Sequence, residues 1–194
     1  ALNYPELIGF DTGPGNCLMD CWSRIHNIGD YDDKGSWASS GAINQSLLGK
    51  MMEDQYFSRK YPKSTGPDYF SHAWIKENLL KVPEQIQPED VQATLAQVTV
   101  VSLIESINSL NLSIENIYLC GGGVHNDFLV SEINKQSKAR VNTTLELGID
   151  PDYLEAICFG WLAKQRIENK NFDLSEITGS RGEVYIGRIY EPSK

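Results

Sequence analysis

Three short loops in this sequence carry residue types able to do chemistry. The first is Asp11-Thr12-Gly13-Pro14-Gly15-Asn16. A carboxylate at the end of a short apolar run and just ahead of a helix sits where backbone N–H groups favour anions such as phosphate. Held there, Asp11 can act as a general base or a metal ligand; the plainer reading of the same pattern is a helix cap. The second loop, Cys120-Gly121-Gly122-Gly123-Val124-His125-Asn126, joins an apolar run to a helical pattern. It has neither the Gly-Lys-Ser/Thr of a P-loop nor the full dinucleotide fingerprint. Triple glycine still lets backbone approach a flat ring or a phosphate closely, with a ligand-free tight turn as the alternative, and His125 reads as a capping or surface histidine.

The third loop is Gly148-Ile149-Asp150-Pro151-Asp152-Tyr153-Leu154-Glu155. Glu155 falls in the first turn of an otherwise apolar helix, where periodicity allows either the solvent side or a place beside the apolar face; the second would make it a candidate for catalysis. Lys63-Ser64-Thr65-Gly66 offers an ammonium and hydroxyls to a phosphate, although spacing alone favours a surface loop. Asp90-Val91-Gln92-Ala93-Thr94, at the head of a long helix, adds polar groups whose purpose is equally open.

The elements that must position these loops follow from the apolar periodicity. Glu6 to Phe10 reads as a strand delivering Asp11 at its carboxyl end. Gly15 to His26 reads as a helix whose Leu18, Met19, Trp22 and Ile25 form one buried face. A loop is expected over Asp30 to Ser40, and helices over Ile43 to Met52 and Tyr69 to Leu80. The longest helix is expected over Pro88 to Leu110, opening with proline and acids where the helix dipole favours them, although the β-branched run Val98 to Val101 opposes it. Ile114 to Cys120, Arg140 to Thr144 and Val184 to Ile189 read as strands, and Asn126 to Gln136 and Pro151 to Asn169 as helices; Leu154, Ile157, Cys158, Trp161 and Leu162 share one face of the latter. Arg188 is expected to point outward. Strands alternating with helices indicate an α/β fold with a largely parallel sheet.

The bulk properties narrow the function classes. A chain of 194 residues with 41% hydrophobic content can bury a core and form a single domain over residues 1–194. Its formal charge of −9 argues against a nucleic-acid or anionic-membrane surface, which needs clustered Lys and Arg. Lys135, Lys138 and Arg140 read as a solvated helix end. No apolar run approaches the roughly 20 residues of a membrane span, and no leader pattern opens the sequence, so a cytoplasmic protein is expected. Cys17, Cys21, Cys120 and Cys158 match no metal-ligand spacing and read as reduced, mostly buried thiols. The start at Ala1 without Met, close to a functional-looking loop, predicts a piece of a longer chain.

Taken in order, these motifs resemble one family, the anhydro-N-acetylmuramic acid kinases of bacterial peptidoglycan recycling. The resemblance rests on Gly9 to Asn16 with Leu18-Met19-Asp20 and Trp22, on Pro62-Lys63-Ser64-Thr65-Gly66, and on Asp90 to Leu95. It continues through Cys120 to Gly123 with Asn126, Gly148-Ile149 with Glu155-Ala156, Phe159 to Ala163, and Thr178-Gly179. It implies the actin-like ATPase (ribonuclease H-like) fold, with this chain as the C-terminal half of a two-domain sugar kinase. The N-terminal half, with its Gly-Thr-Ser-Leu-Asp-Gly phosphate loop, has no counterpart here.

The resemblance further implies that water attacks the anomeric carbon of 1,6-anhydro-N-acetylmuramic acid while the freed O6 takes the γ-phosphoryl of ATP. Asp11 matches the family's general base and Glu155 an acid that helps hold the water. Gly13, Gly15, Asn16, Gly121, Gly122, Gly123 and Asn126 would bind the nucleotide, and Lys63, Ser64 and Thr65 the substrate or a phosphate. The cofactors implied are ATP and Mg2+, with metal ligands undetermined. The partners are the small-molecule sugar, the missing N-terminal domain and a second copy in a homodimer. Pro67 stands where the family commonly has Arg. Two other readings stay open: an isolated nucleotide-binding or dimerising module, inactive by itself, and a related enzyme acting on another sugar.

Overall fold

The computed structural model describes residues 8–190. Its helices are α1 (Cys17–Ile25), α2 (Ser36–Ser40), α3 (Gln45–Met52), α4 (Gln55–Ser58), α5 (His72–Leu79), α6 (Pro88–Ser109), α7 (Asp127–Gln136), α8 (Leu154–Ile167) and α9 (Ser175–Thr178). The strands are β1 (Asn116–Leu119), β2 (Arg140–Thr143), β3 (Asn171–Asp173) and β4 (Glu183–Tyr185). No helix among the described residues is long and apolar enough to cross a membrane.

Helix α6 organises the core. Pro88 starts it, Glu89 and Asp90 occupy its first turn, and its buried residues, Val91 to Val98 without a break, face every direction. A helix buried all round needs cover on all sides, and α1, α2, α3 and α7 pack around it while α5 closes over α1 and α3. The β-branched run costs the helix nothing visible: Val98 and Val100 are fully buried, and their packing outweighs weak propensity. Leu18, Met19 and Trp22 of α1, Leu47 and Met51 of α3, and Leu129 and Ile133 of α7 complete the cluster. Trp22 donates its Nε1–H to the Pro88 carbonyl at 2.9 Å, fixing α1 to the head of α6.

The head of α6 also explains its polar residues. Asp90 Oδ1 accepts from Ala42 N–H at 2.7 Å, and Thr94 Oγ1 accepts from Asn44 N–H at 2.9 Å. These side chains hold the connection between α2 and α3, so their role is structural.

Several expectations change. The anticipated parallel sheet is two small sheets: β1 and β2 pair in parallel from Asn116↔Arg140 to Leu119↔Thr143, and β3 and β4 pair antiparallel. Ile8 to Phe10 join no strand, and Glu6 and Leu7 lie outside the described residues; the backbone just beyond bonds from Asp11 N–H to the Lys63 carbonyl at 3.1 Å. The predicted loop over Asp30 to Ser40 contains α2, which follows Gly35 as its N-cap and whose Trp37 and Ala38 N–H groups donate to the Asp32 carboxylate at 2.8 Å each. The final strand is shorter than expected, and β3, α4 and α9 went unread because their lengths of three or four residues give no period. Arg188 is exposed, as expected.

Helix α8 departs most from its pattern. Its apolar residues Ile157, Phe159 and Trp161 are 53%, 63% and 49% exposed, and only Gln165 is buried. Ile25, expected inside, is exposed as well. All four cysteines are free, but Cys120 and Cys158 are exposed and Cys17 and Cys21 only half-buried, against the expectation of burial. Burial, with Asp20 beside it, pushes the Cys17 thiol up.

Candidate active site

The loop around Asp11 is fixed at three of that residue's atoms. Its N–H donates to the Lys63 carbonyl at 3.1 Å, its carbonyl accepts from the Tyr56 hydroxyl at 2.8 Å, and its Oδ2 accepts from Thr65 N–H at 2.8 Å. Among the described residues Oδ1 accepts no hydrogen bond, and the residue is exposed. The capping alternative therefore falls away: the N-cap of α1 is Asn16, and the Asp11 carboxylate is turned to the Lys63–Gly66 segment instead.

Behind Asp11 the loop is clamped to α6. Thr99 Oγ1 donates to the Gly15 carbonyl at 2.7 Å, and Gly13 lies directly on Ser102. A methyl at Gly13 would collide with Ser102 Oγ and stand 3.0 Å from its Cβ. Gly13→Ala is thus expected to cost about 1–3 kcal/mol through overpacking, and to cost less in a Ser102→Gly background than alone. Urea unfolding of the four chains checks that coupling.

The glycine loop connects the other two loops. Gly121 takes φ +74°, a value that only glycine adopts freely, and its N–H donates to the Pro151 carbonyl at 2.9 Å. Gly123 faces Asn16, whose Oδ1 would be 3.2 Å from an added Cβ, whereas Gly122 meets open space. Asn126 caps α7, its Oδ1 accepting from Leu129 N–H at 2.9 Å. His125 bonds the Asp152 carboxylate at 2.8 Å, with both side chains exposed, in line with a surface histidine. A cavity of about 530 Å³ opens where the loops meet, lined by Asn16, Asp20, Asp32, Gly122, His125 and Asn126 among others. Burial pushes the Asp20 carboxyl up against the pull of Arg24, and Asp32 adds to the effect.

The site residues named from sequence thus form two connected groups. Asp11 meets Lys63 and Thr65; Asn16 meets Gly123, which continues through Gly121 to Pro151. Glu155 stands exposed in the first turn of α8, and among the described residues no hydrogen bond joins it to Asp11. Lys63 directs two of its three ammonium donors inward. Its Nζ is 3.3 Å from the Tyr56 and Phe57 carbonyls and 4.8 Å from the Tyr56 ring centre, and burial, then Arg59, hold its pKa below the usual lysine range. Ser64 is exposed, while Thr65 Oγ1 is buried without a partner among the described residues.

Sequence reading missed Tyr56, Thr99 and Ser102. They lie 45, 84 and 89 positions from the residues they touch, and only the fold brings them there. Asp54 was legible as an N-cap, preceding a short helical turn. Among the described residues no three His, Cys, Asp or Glu side chains converge as a metal cage.

The family described as anhydro-N-acetylmuramic acid kinase matches residues 3–192. An anhydro-N-acetylmuramic acid kinase of Coxiella burnetii is 44% identical over 95% of this chain and 50% of its own length. Proteins of the same name from Pseudomonas savastanoi pv. phaseolicola and Pasteurella multocida are 39% and 38% identical, over 94% and 97% of this chain and 50% of theirs. The chain therefore spans about half the length of the curated relatives it matches, and it belongs to the anhydro-N-acetylmuramic acid kinase family.

Proposed function

We propose that the protein containing this chain is an ATP-dependent kinase that converts 1,6-anhydro-N-acetylmuramic acid and water to N-acetylmuramic acid 6-phosphate in peptidoglycan recycling. The chain supplies the C-terminal domain of an actin-like ATPase fold, and the other wall of the cleft comes from an N-terminal domain. The observation that carries this reading is Asp11, pinned at three atoms with Oδ1 open. A poor nucleophile needs a base held within hydrogen-bond reach. Asp11 takes a proton from water as its oxygen bonds the anomeric carbon; the bond from that carbon to O6 breaks, and O6 receives the phosphoryl group, leaving ADP.

Each remaining group has a part in this scheme. Glu155 helps hold the water. The backbone of Gly121 to Gly123, open at Gly122, accommodates the nucleotide beside Gly13, Gly15, Asn16 and Asn126. Mg2+ neutralises phosphate charge during transfer. It is usually held by one or two carboxylates together with the phosphates themselves, so a three-residue cage within this chain is unnecessary. The exposed apolar side of α8 fits a chain that needs a further surface, from the N-terminal domain or from a second copy in a homodimer. A cytoplasmic location follows from the use of ATP.

The test is an assay of the two-domain protein with ATP, Mg2+ and 1,6-anhydro-N-acetylmuramic acid, following ADP release and the sugar's mass. A gain of one water and one phosphoryl group is expected. Turnover of another sugar in place of this one would instead favour the related-enzyme reading. Phosphorylation by the 194-residue chain alone would contradict the claim that half the site lies elsewhere.

A further inference from the structure

Among the described residues Tyr56 is the one buried ionisable side chain that reaches the candidate base, and it does so from a separately braced element. It is 1% exposed. Asp54 caps α4 by accepting from Tyr56 N–H at 2.8 Å, and the same carboxylate accepts from the Tyr69 hydroxyl and Trp74 Nε1, each at 2.7 Å. Burial works against that carboxylate, but the three hydrogen bonds outweigh it and hold Asp54 below its usual range. The Tyr56 ring packs edge-on against Phe57 and Phe70 and lies under Lys63 Nζ at 4.8 Å. Its hydroxyl can therefore point only where the ring directs it, to the Asp11 carbonyl at 2.8 Å. Burial and the nearby Asp11 push the phenol up to about 12, so it keeps its proton and remains a donor at neutral pH.

We infer that Tyr56 is a positioning residue for Asp11, holding the backbone of the base so that its free carboxylate oxygen faces the reacting water. This rests on the reading of Asp11 as the base. Lys63 and Thr65 belong to the same device. The Lys63 carbonyl and Thr65 N–H grip Asp11 from the other side, so the Lys-Ser-Thr-Gly segment orients the base. A carboxylate misplaced by a fraction of an ångström still binds substrate but transfers a proton poorly, so the loss falls on kcat.

The experiment uses the two-domain protein and the variants Tyr56→Phe, Tyr69→Phe and Asp11→Asn. Tyr56→Phe keeps the ring and removes only the hydroxyl; Tyr69→Phe removes one bond from the same aromatic cluster without touching Asp11. Expected are a fall in kcat of about tenfold for Tyr56→Phe with KM for both substrates unchanged, a near-normal kcat for Tyr69→Phe, and similar shifts in Tm for the two. A Tyr56→Phe kcat within twofold of the parent would overturn the inference, as would an equal loss in Tyr69→Phe or a rise in KM matching the fall in kcat. Asp11→Asn separates the two levels. Full activity in that variant would refute the base assignment itself, whereas its inactivity beside a normal Tyr56→Phe would refute the positioning role alone.

Discussion

On the proposed function, Asp11→Asn in the full-length protein is expected to lower sugar turnover by about 10²–10⁴-fold, the range that a positioned general base contributes, while ATP affinity stays within about twofold. The reason for the split lies in the bonds that survive. The amide oxygen of Asn can still accept from Thr65 N–H, and the bonds to Lys63 and Tyr56 use only the backbone of residue 11. The loop should therefore keep its place against Thr99 and Ser102. What disappears is an oxygen basic enough to take a proton from water. Steady-state assays of ADP release, with calorimetric titration of ATP, would measure both halves of the claim. Near-normal turnover would assign the base elsewhere.

Leu95→Ala should produce the largest loss of stability, about 2–5 kcal/mol. Leu95 is fully buried at the centre of α6, within the cluster that joins α1, α3, α5 and α7. With neighbours on every side, the cavity cannot collapse onto solvent, and the loss is a large share of the 5–15 kcal/mol typical of a folded protein. Leu80→Ala provides the comparison. That leucine is 86% exposed, so truncating it should change stability by no more than about 0.5 kcal/mol. Denaturant unfolding of the two variants would show the contrast, and equal midpoints would mean that α6 is not the core.

The two predictions are linked through α6. The helix buries its first half in the core and presents Thr99 and Ser102 to the loop that carries Asp11. A shift of α6 is therefore also a shift of the loop that holds Asp11. The glycines of the candidate site divide along the same line: Gly13 in this loop is needed for close packing on Ser102, whereas Gly122 in the glycine loop meets no neighbour and leaves its backbone open.

The sequence by itself determined the site residues as types and the elements with a clear period. The acids and glycines of the three loops, the long helix opening at Pro88, α7, and the strands at Asn116 and Arg140 were legible because capping, turn and periodicity signals are local. Family membership was legible for a similar reason, since its motifs are short and ordered along the chain. Only the tertiary structure decided which way these residues face. It set aside the helix-cap alternative for Asp11 by turning its carboxylate to Thr65 N–H, committed Lys63 to the Tyr56 and Phe57 carbonyls, and left the apolar side of α8 exposed. Each outcome depends on groups dozens of positions apart or on surfaces that a helical period cannot assign to a partner. A period states that a face is apolar; what covers that face is settled by packing.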